Sequence, residues 1–203
     1  VDEPLPIIGV ESIQNIATLS GNIFRSLARV LPFASTDDSR AVLQVLHLTL
    51  EAEAVTAQTA DGYSAGHVLE SIEGPAEQTS ISLPLSFARL LSTLVEDRDT
   101  VRMGTSGPNR YIFHITNADD SKDLTLATVT AAENFPSAQI MTLIEEARNN
   151  TTAHLNLQQV SLMQSIRMVN AMGTQSTFIK VLNGVVKIAS SETETGQARN
   201  ILE

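Results

Sequence analysis

The chain has 203 residues, with 23 acidic against 13 basic side chains, a formal charge of −10 and no cysteine. Such a length buries a substantial core and suits one or two domains, while the missing thiols exclude a disulfide framework, thiolate–zinc sites and a cysteine nucleophile. The acidic balance argues against a generic nucleic-acid binder, yet it permits a protein that keeps basic residues on one face and acidic ones elsewhere. No apolar run approaches the roughly 20 residues that span a bilayer, so no membrane partner is expected, and Val1–Pro6 lack the basic and apolar regions of a signal peptide.

Taken in order, residues 1–9 place apolar residues between Pro4 and Pro6 and read as a linker. Val10 to Ala17 alternates as a strand. Ser20 is positioned to cap a helix from Asn22 to Leu31, with Ile23, Phe24, Leu27, Val30 and Leu31 forming its buried stripe and Pro32 stopping it. A polar loop follows, from Phe33 to Arg40. Leu46, Leu48 and Leu50 then share one face of a strand, against Val45, His47 and Thr49 on the other. Further strands run over 54–60, with Val55, Ala57 and Thr59 on one side, and over 64–71, joined by the Asp61-Gly62 turn.

Gly74-Pro75 breaks the chain and the order repeats. A strand over 79–83 leads to a helix that Ser86 caps, with Phe87, Leu90, Leu91 and Leu94 inward and Arg89 outward. Strands over 100–103, 110–116 and 124–130 complete the unit, and 133–150 reads as a connector. A third unit begins with a strand over 153–157. Its helix, 159–172, turns Val160, Met163, Ile166 and Val169 inward, and its strands span 177–182, 185–190 and 195–202, with a hairpin turn at Asn183-Gly184. The chain is therefore α+β, built from strand–helix–strand–strand–strand units. The domains expected are 10–148, holding two units, and 149–203, half a domain whose apolar face needs cover from another copy.

Catalytic constellations are scarce. His47, His67 and His114 read as strand histidines, and no metalloprotease, zinc, hydrolase or phosphate-loop motif is present. The Asp37-Asp38 and Asp119-Asp120 pairs read as turn acids, and neither a cofactor nor a metal is expected. The distributed signal is the set of helix-face arginines Arg25, Arg29, Arg89 and Arg167. These fit either a thin basic stripe or ordinary solvated positions.

The run Leu27-Ala28-Arg29-Val30-Leu31-Pro32-Phe33-Ala34-Ser35-Thr36-Asp37-Asp38-Ser39-Arg40, with Leu43 and the Thr59-Ala60-Asp61-Gly62-Tyr63 turn, resembles the middle domain of bacterial DNA sliding clamps. These clamps are the beta subunits of DNA polymerase III. Glu133-Asn134-Phe135-Pro136 resembles that family's Gly-x-Phe-Pro motif, and Leu155 to Leu202 resembles the first half of its third domain. The resemblance implies the DNA-clamp fold, with helices on one face of antiparallel sheets. It also implies a non-enzymatic, cytoplasmic processivity factor that encircles duplex DNA without sequence preference and binds polymerase and clamp-loader-type proteins, as a homo-oligomer. Arg25, Arg29, Arg89 and Arg167 would face DNA, with Arg40 in the loop that approaches it. Leu43, Ala60, Gly62, Tyr63, Pro136 and Met141 would wall the pocket for partner peptides. The chain departs from the family pattern at Ala60, Ser64 and Ala65, where Thr, Arg and Leu are usual. The family's first domain and C-terminal pocket segment have no counterpart in it, so closure through the usual ring interface is not expected of this chain. The alternative is a clamp-fold interaction or assembly module that has lost DNA and peptide binding.

Overall fold

The computed structural model describes residues 14–73, 76–107, 109–119, 121–131, 134–151, 156–171, 177–182, 185–190 and 199–202. They fall into two compact units, Val1–Glu146 and Ala147–Glu203. The first carries β1 (Gln14–Ser20), α1 (Gly21–Leu27), the 3-10 segments Ala28–Phe33 and Asp38–Leu43, β2 (Val45–Glu51), β3 (Ala54–Ala60) and β4 (Ala65–Ser71). The same order then recurs as β5 (Thr79–Pro84), α2 (Leu85–Leu94), β6 (Asp99–Thr105), β7 (Arg110–Asn117) and β8 (Asp123–Val129). Helix α3 (Ser137–Asn149) runs across the division into the second unit, which holds α4 (Gln159–Asn170), β9 (Thr177–Leu182), β10 (Val185–Ser190) and β11 (Arg199–Leu202).

The two modules of the first unit exchange their leading strands. One four-stranded sheet runs β1-β6-β7-β8 and the other β4-β3-β2-β5. Ser20 pairs opposite Thr100, and Leu50 opposite Thr79, both antiparallel. A register shift between Asn15 and Ala17 turns the consecutive residues Ile16 and Ala17 inward, as a bulge does.

One core joins both sheets to the helices. Phe24 and Leu27 of α1, Ala88 and Leu91 of α2, Leu46, Leu48 and Leu50 of β2, and Phe113 and Ile115 of β7 are all fully buried. α1 touches β4 and β6, one strand from each sheet, and α2 packs against segment 28–33. Phe87 of α2 meets Phe113 of β7, ring centroids 5.4 Å apart. Gly21 opens α1 directly against the loop after α2, where a Cβ would lie 1.8 Å from the Glu96 carbonyl oxygen.

Several sequence expectations shift. The first helix is α-helical only to Leu27 and tightens to 3-10 geometry, with Pro32 inside the 3-10 segment. Neither Ser20 nor Ser86 caps a helix through its side chain; Pro84 precedes α2. Leu90 is exposed and Ala88 takes its inward place. Residues 137–149, expected within a connector, are helical because Ile140 and Ile144, one turn apart, pack on an apolar cluster. In α4 the packed residues are Leu162, Ile166 and Val169, while Val160 and Met163 face solvent. The strand expected over 10–17 is described only from Gln14, and it continues to Ser20. The linker 1–9, Gly74-Pro75, residues 153–155 and 195–198 of the strands expected over 153–157 and 195–202, and the Asn183-Gly184 turn lie outside the described residues.

A buried charge pair ties the second module together. Lys122 Nζ donates to Asp99 Oδ2 at 2.6 Å and to the Leu94 carbonyl at the end of α2. Asp99 is 3% exposed, and its Oδ2 also accepts the Glu96 N–H at 2.8 Å. Removing the cation strands a buried carboxylate. Lys122→Met is therefore expected to lower unfolding stability by about 3 kcal/mol, read by urea denaturation, whereas a change near zero would mean the pair carries little.

Candidate nucleic-acid and peptide interfaces

The helix side of the first unit presents arginines to solvent. Phe24, Leu27 and Val30 point into the core, so the residues out of phase with them, Arg25 and Arg29, are exposed. On α2, burial of Leu85, Ala88 and Leu91 leaves Arg89 exposed in the same way. Arg25 makes an ion pair with Asp97, Nη1 to Oδ1 at 3.0 Å, and both side chains are more than half exposed. Arg167, in the second unit, is exposed in the last turn of α4.

Arg40 stands apart from this group. Its Nη1 donates to the Asp61 carbonyl at 2.7 Å, its Nε lies 3.7 Å from Asp37 Oδ2, and its guanidinium carbon is 5.3 Å from the centre of the Tyr63 ring. The structure thus joins Arg40 to the turn bearing Gly62 and Tyr63. That turn is built by Asp61, whose Oδ1 accepts the Tyr63 and Ser64 N–H groups at 2.8 and 2.7 Å. These two bonds, Ser64's first, hold the Asp61 carboxyl below its ordinary value. Gly62 has φ of +92°, and a Cβ there would fall 2.3 Å from Arg40 Nη1, so both conformation and space require glycine. Tyr63, 91% exposed, projects from the tip. Across from the turn, Ser35 N–H is shared between the Leu43 and Ala60 carbonyls at 3.2 and 3.1 Å.

Leu43 and Ala60 belong to a second apolar cluster with Val45, Phe135, Ile140 and Ile144. Because Leu46, Leu48 and Leu50 face the helices, Val45 and His47 occupy the opposite face of that sheet. On this face residues 130–131 and 134–137 meet Ser82, His47 and Gln58, which pair in a row across the sheet. Ala131 N–H donates to the Ser82 carbonyl at 2.9 Å, Phe135 stacks on His47 at 4.9 Å, and Ser137 Oγ donates to Gln58 Oε1. A groove of about 670 Å³ runs beside these residues, lined by His47, Ser82, Thr130, Phe135 and Gln139 among others. Pro136 lines the same groove, and Met141 is half-buried on α3.

The expected peptide-wall residues Leu43, Ala60 and Gly62 therefore gather at one end of the sheet, with Arg40. The sequence reading missed Val45, His47, Gln58 and Ile140 as supports of that end. Their signal was the strand alternation itself: Val45 and His47 are out of phase with a strongly apolar face, and apolar Val45 is no ordinary solvent position.

Among the described residues no group of His, Cys, Asp and Glu is disposed to hold a metal, and no helix is long and apolar enough to cross a membrane. His47 Nδ1 lies 3.0 Å from Ser82 Oγ, and burial holds its pKa below the ordinary 6.5. The unfolded chain therefore takes up this proton first, so the contribution of neutral His47 to stability is complete above about 6.5 and shrinks as pH falls below it. Stability is expected to drop as pH falls below about 6.5. His47→Gln should flatten that dependence in denaturant titrations at several pH values, and an unchanged profile would separate the imidazole from the effect.

No protein-family model and no curated protein sequence matches the chain. Solved structures do match. The DNA polymerase sliding clamp of Bacillus subtilis aligns with a TM-score of 0.73 at 12% identity, over 99% of this chain and 51% of that one. The DNA polymerase III beta subunit of Thermotoga maritima aligns with a TM-score of 0.69 at 16% identity, over 100% and 53%. That of Pseudomonas aeruginosa gives a TM-score of 0.72 at 14% identity, over 100% and 53%. The chain spans about half the length of these clamp structures. Its fold is the sliding-clamp fold of repeated β-α-β-β-β units, as the sequence resemblance implied.

Proposed function

We propose that this chain is a sliding-clamp-like, non-enzymatic protein that contacts duplex DNA through the arginines of its helix faces and tethers replication proteins through the sheet end around Leu43 and Ala60. The observation that carries the reading is the division of surfaces in the first unit. Helices present Arg25, Arg29 and Arg89 outward, while the opposite sheet face carries an apolar cluster beside a glycine turn. Sparse arginines on an acidic protein suit loose phosphate contacts that do not read sequence. DNA polymerase and clamp-loader-type proteins are the partners proposed for the Leu43, Ala60, Gly62, Tyr63, Pro136 and Met141 wall, in the cytoplasm. Arg40, tied to Asp61 and Tyr63, serves that wall by bracing its turn. Replacing Arg25, Arg29 and Arg167 with Glu is expected to abolish binding of a random-sequence duplex at low salt in fluorescence anisotropy. Leu43→Asp should remove binding of a labelled peptide bearing a bacterial polymerase's clamp-binding motif and leave DNA binding intact. A wild-type protein that binds neither probe would overturn the proposal.

A second reading, a clamp-fold assembly module without DNA contact, draws on the engagement of Arg25 by Asp97 and of Arg40 by Asp61. The same DNA titration of the wild type separates the two.

Homo-oligomerisation belongs to the proposal. In the first unit the strand after each helix, β2 or β6, pairs with a leading strand from the other module, β5 or β1. In the second unit β9 holds that place after α4 and, among the described residues, forms an edge of a β11-β10-β9 sheet, with Phe178, Ile179 and Val181 exposed. An apolar edge strand of this kind invites pairing, and a second copy is the partner proposed. Light scattering should give a mass above that of a monomer, and a stable monomer that binds no hydrophobic dye would contradict this arrangement.

A further inference from the structure

We infer that Asp97 is a built-in competitor for DNA phosphate at Arg25, placed by the fold to keep that contact weak; the inference rests on the DNA-contact reading above. The pair differs from an incidental surface contact because the loop that carries Asp97 is anchored on both sides of it. Glu96 N–H donates to Asp99 Oδ2 at 2.8 Å, Asp99 N–H returns to the Glu96 carbonyl at 3.1 Å, and Lys122 Nζ holds Asp99 from beneath at 2.6 Å. The same loop is pressed against the start of α1, where only the missing side chain of Gly21 lets the Glu96 carbonyl approach. Gly21 and Arg25 are four residues apart on α1, hence on one face, so the contact that seats the loop also aligns Asp97 with the guanidinium.

A carboxylate and a phosphate are the same kind of acceptor to an arginine. Asp97 engages Nη1 at 3.0 Å with both partners largely exposed, and such a pair is reversible. A phosphate oxygen reaching Arg25 must displace Asp97 or share the guanidinium with it, and either lowers the gain from the contact. Arg29 and Arg89 have no acid so placed among the contacts of the described residues. The competitor therefore bears on one arginine of the helix layer and leaves the others open to the backbone.

The test is a double-mutant cycle on duplex binding. Affinity of the full chain for a random-sequence duplex is measured by anisotropy at about 0.1 M salt, where screening over roughly 10 Å confines the effect to near neighbours. Asp97→Asn is expected to tighten binding about two- to five-fold, the size of an exposed ion pair, and that gain should vanish in an Arg25→Ala background. Thermal melts of each variant, expected to stay close to wild type, verify that the fold is kept. Binding by Asp97→Asn where the wild type shows none is the same result at its extreme. An equal gain with and without Arg25 would reduce Asp97 to a diffuse charge and overturn the inference, as would no gain at all. In both cases measurable wild-type binding leaves the DNA reading standing. Absence of binding in wild type and Asp97→Asn alike overturns both.

Discussion

The exchange of leading strands between the two modules is the constraint on which the first unit depends. β1 precedes α1 in the chain yet hydrogen-bonds along β6, and β5 precedes α2 yet bonds along β2. A module left to itself would have a three-stranded sheet with a bare inner edge and one helix unable to cover it. Exchange closes that edge in both sheets and draws both helices over a single core, from Phe24 and Leu91 to Leu48 and Phe113. The connections leave no slack. Ser20 ends β1 where Gly21 begins α1, and Pro84 ends β5 where Leu85 begins α2. A strand handed to the neighbouring sheet therefore carries its helix to the seam between them.

Confining the helices to one face gives the two surfaces different chemistry. Alternation along β2 sends Leu46, Leu48 and Leu50 to the helices and Val45 and His47 the other way. The far face is not simply solvated. It is covered at one end by residues 134–136 and α3, which dock through the His47–Phe135 stack and the Val45, Ala60, Ile140 cluster. The sequence motifs of the loop at 33–40 and the turn at 60–63 become one physical object there. Arg40 reaches from the loop to the Asp61 carbonyl, and Ser35 bonds both Leu43 and Ala60. Neither motif has its shape without the other.

Local pattern explains what was legible beforehand. β3 could be read at 54–60 because Val55, Ala57 and Thr59 alternate and the Asp61-Gly62 turn ends it, and all three are buried, Thr59 with its hydroxyl on the Val30 carbonyl. The strand exchange had no such signature, since pairing between residues 20 and 100 leaves no mark on either strand alone. α3 was hidden because Pro136 and the polar residues around it resemble a linker, and only contact with Val45 and Phe135 makes Ile140 and Ile144 an inward stripe. Leu90 and Val160 fell outside the buried set because periodicity counts apolar residues without knowing how wide a face the neighbouring sheet can cover. At the candidate interface the arginines of α1 and α2 followed from helix phase, whereas the pairing of Arg25 with Asp97 required the fold.

Charge then bears on how a clamp-like role could work. A chain of net charge −10 is repelled by DNA overall, and its arginines outnumber its lysines ten to three. High affinity through counterion release needs many simultaneous phosphate contacts, and Arg25, Arg29 and Arg89 offer few, one of them already occupied by an acid. A surface of that kind holds poorly by affinity. On the proposed role, retention would have to come from protein partners more than from affinity for DNA, and the Asp97–Arg25 pair is consistent with a weak, exchangeable contact at that arginine.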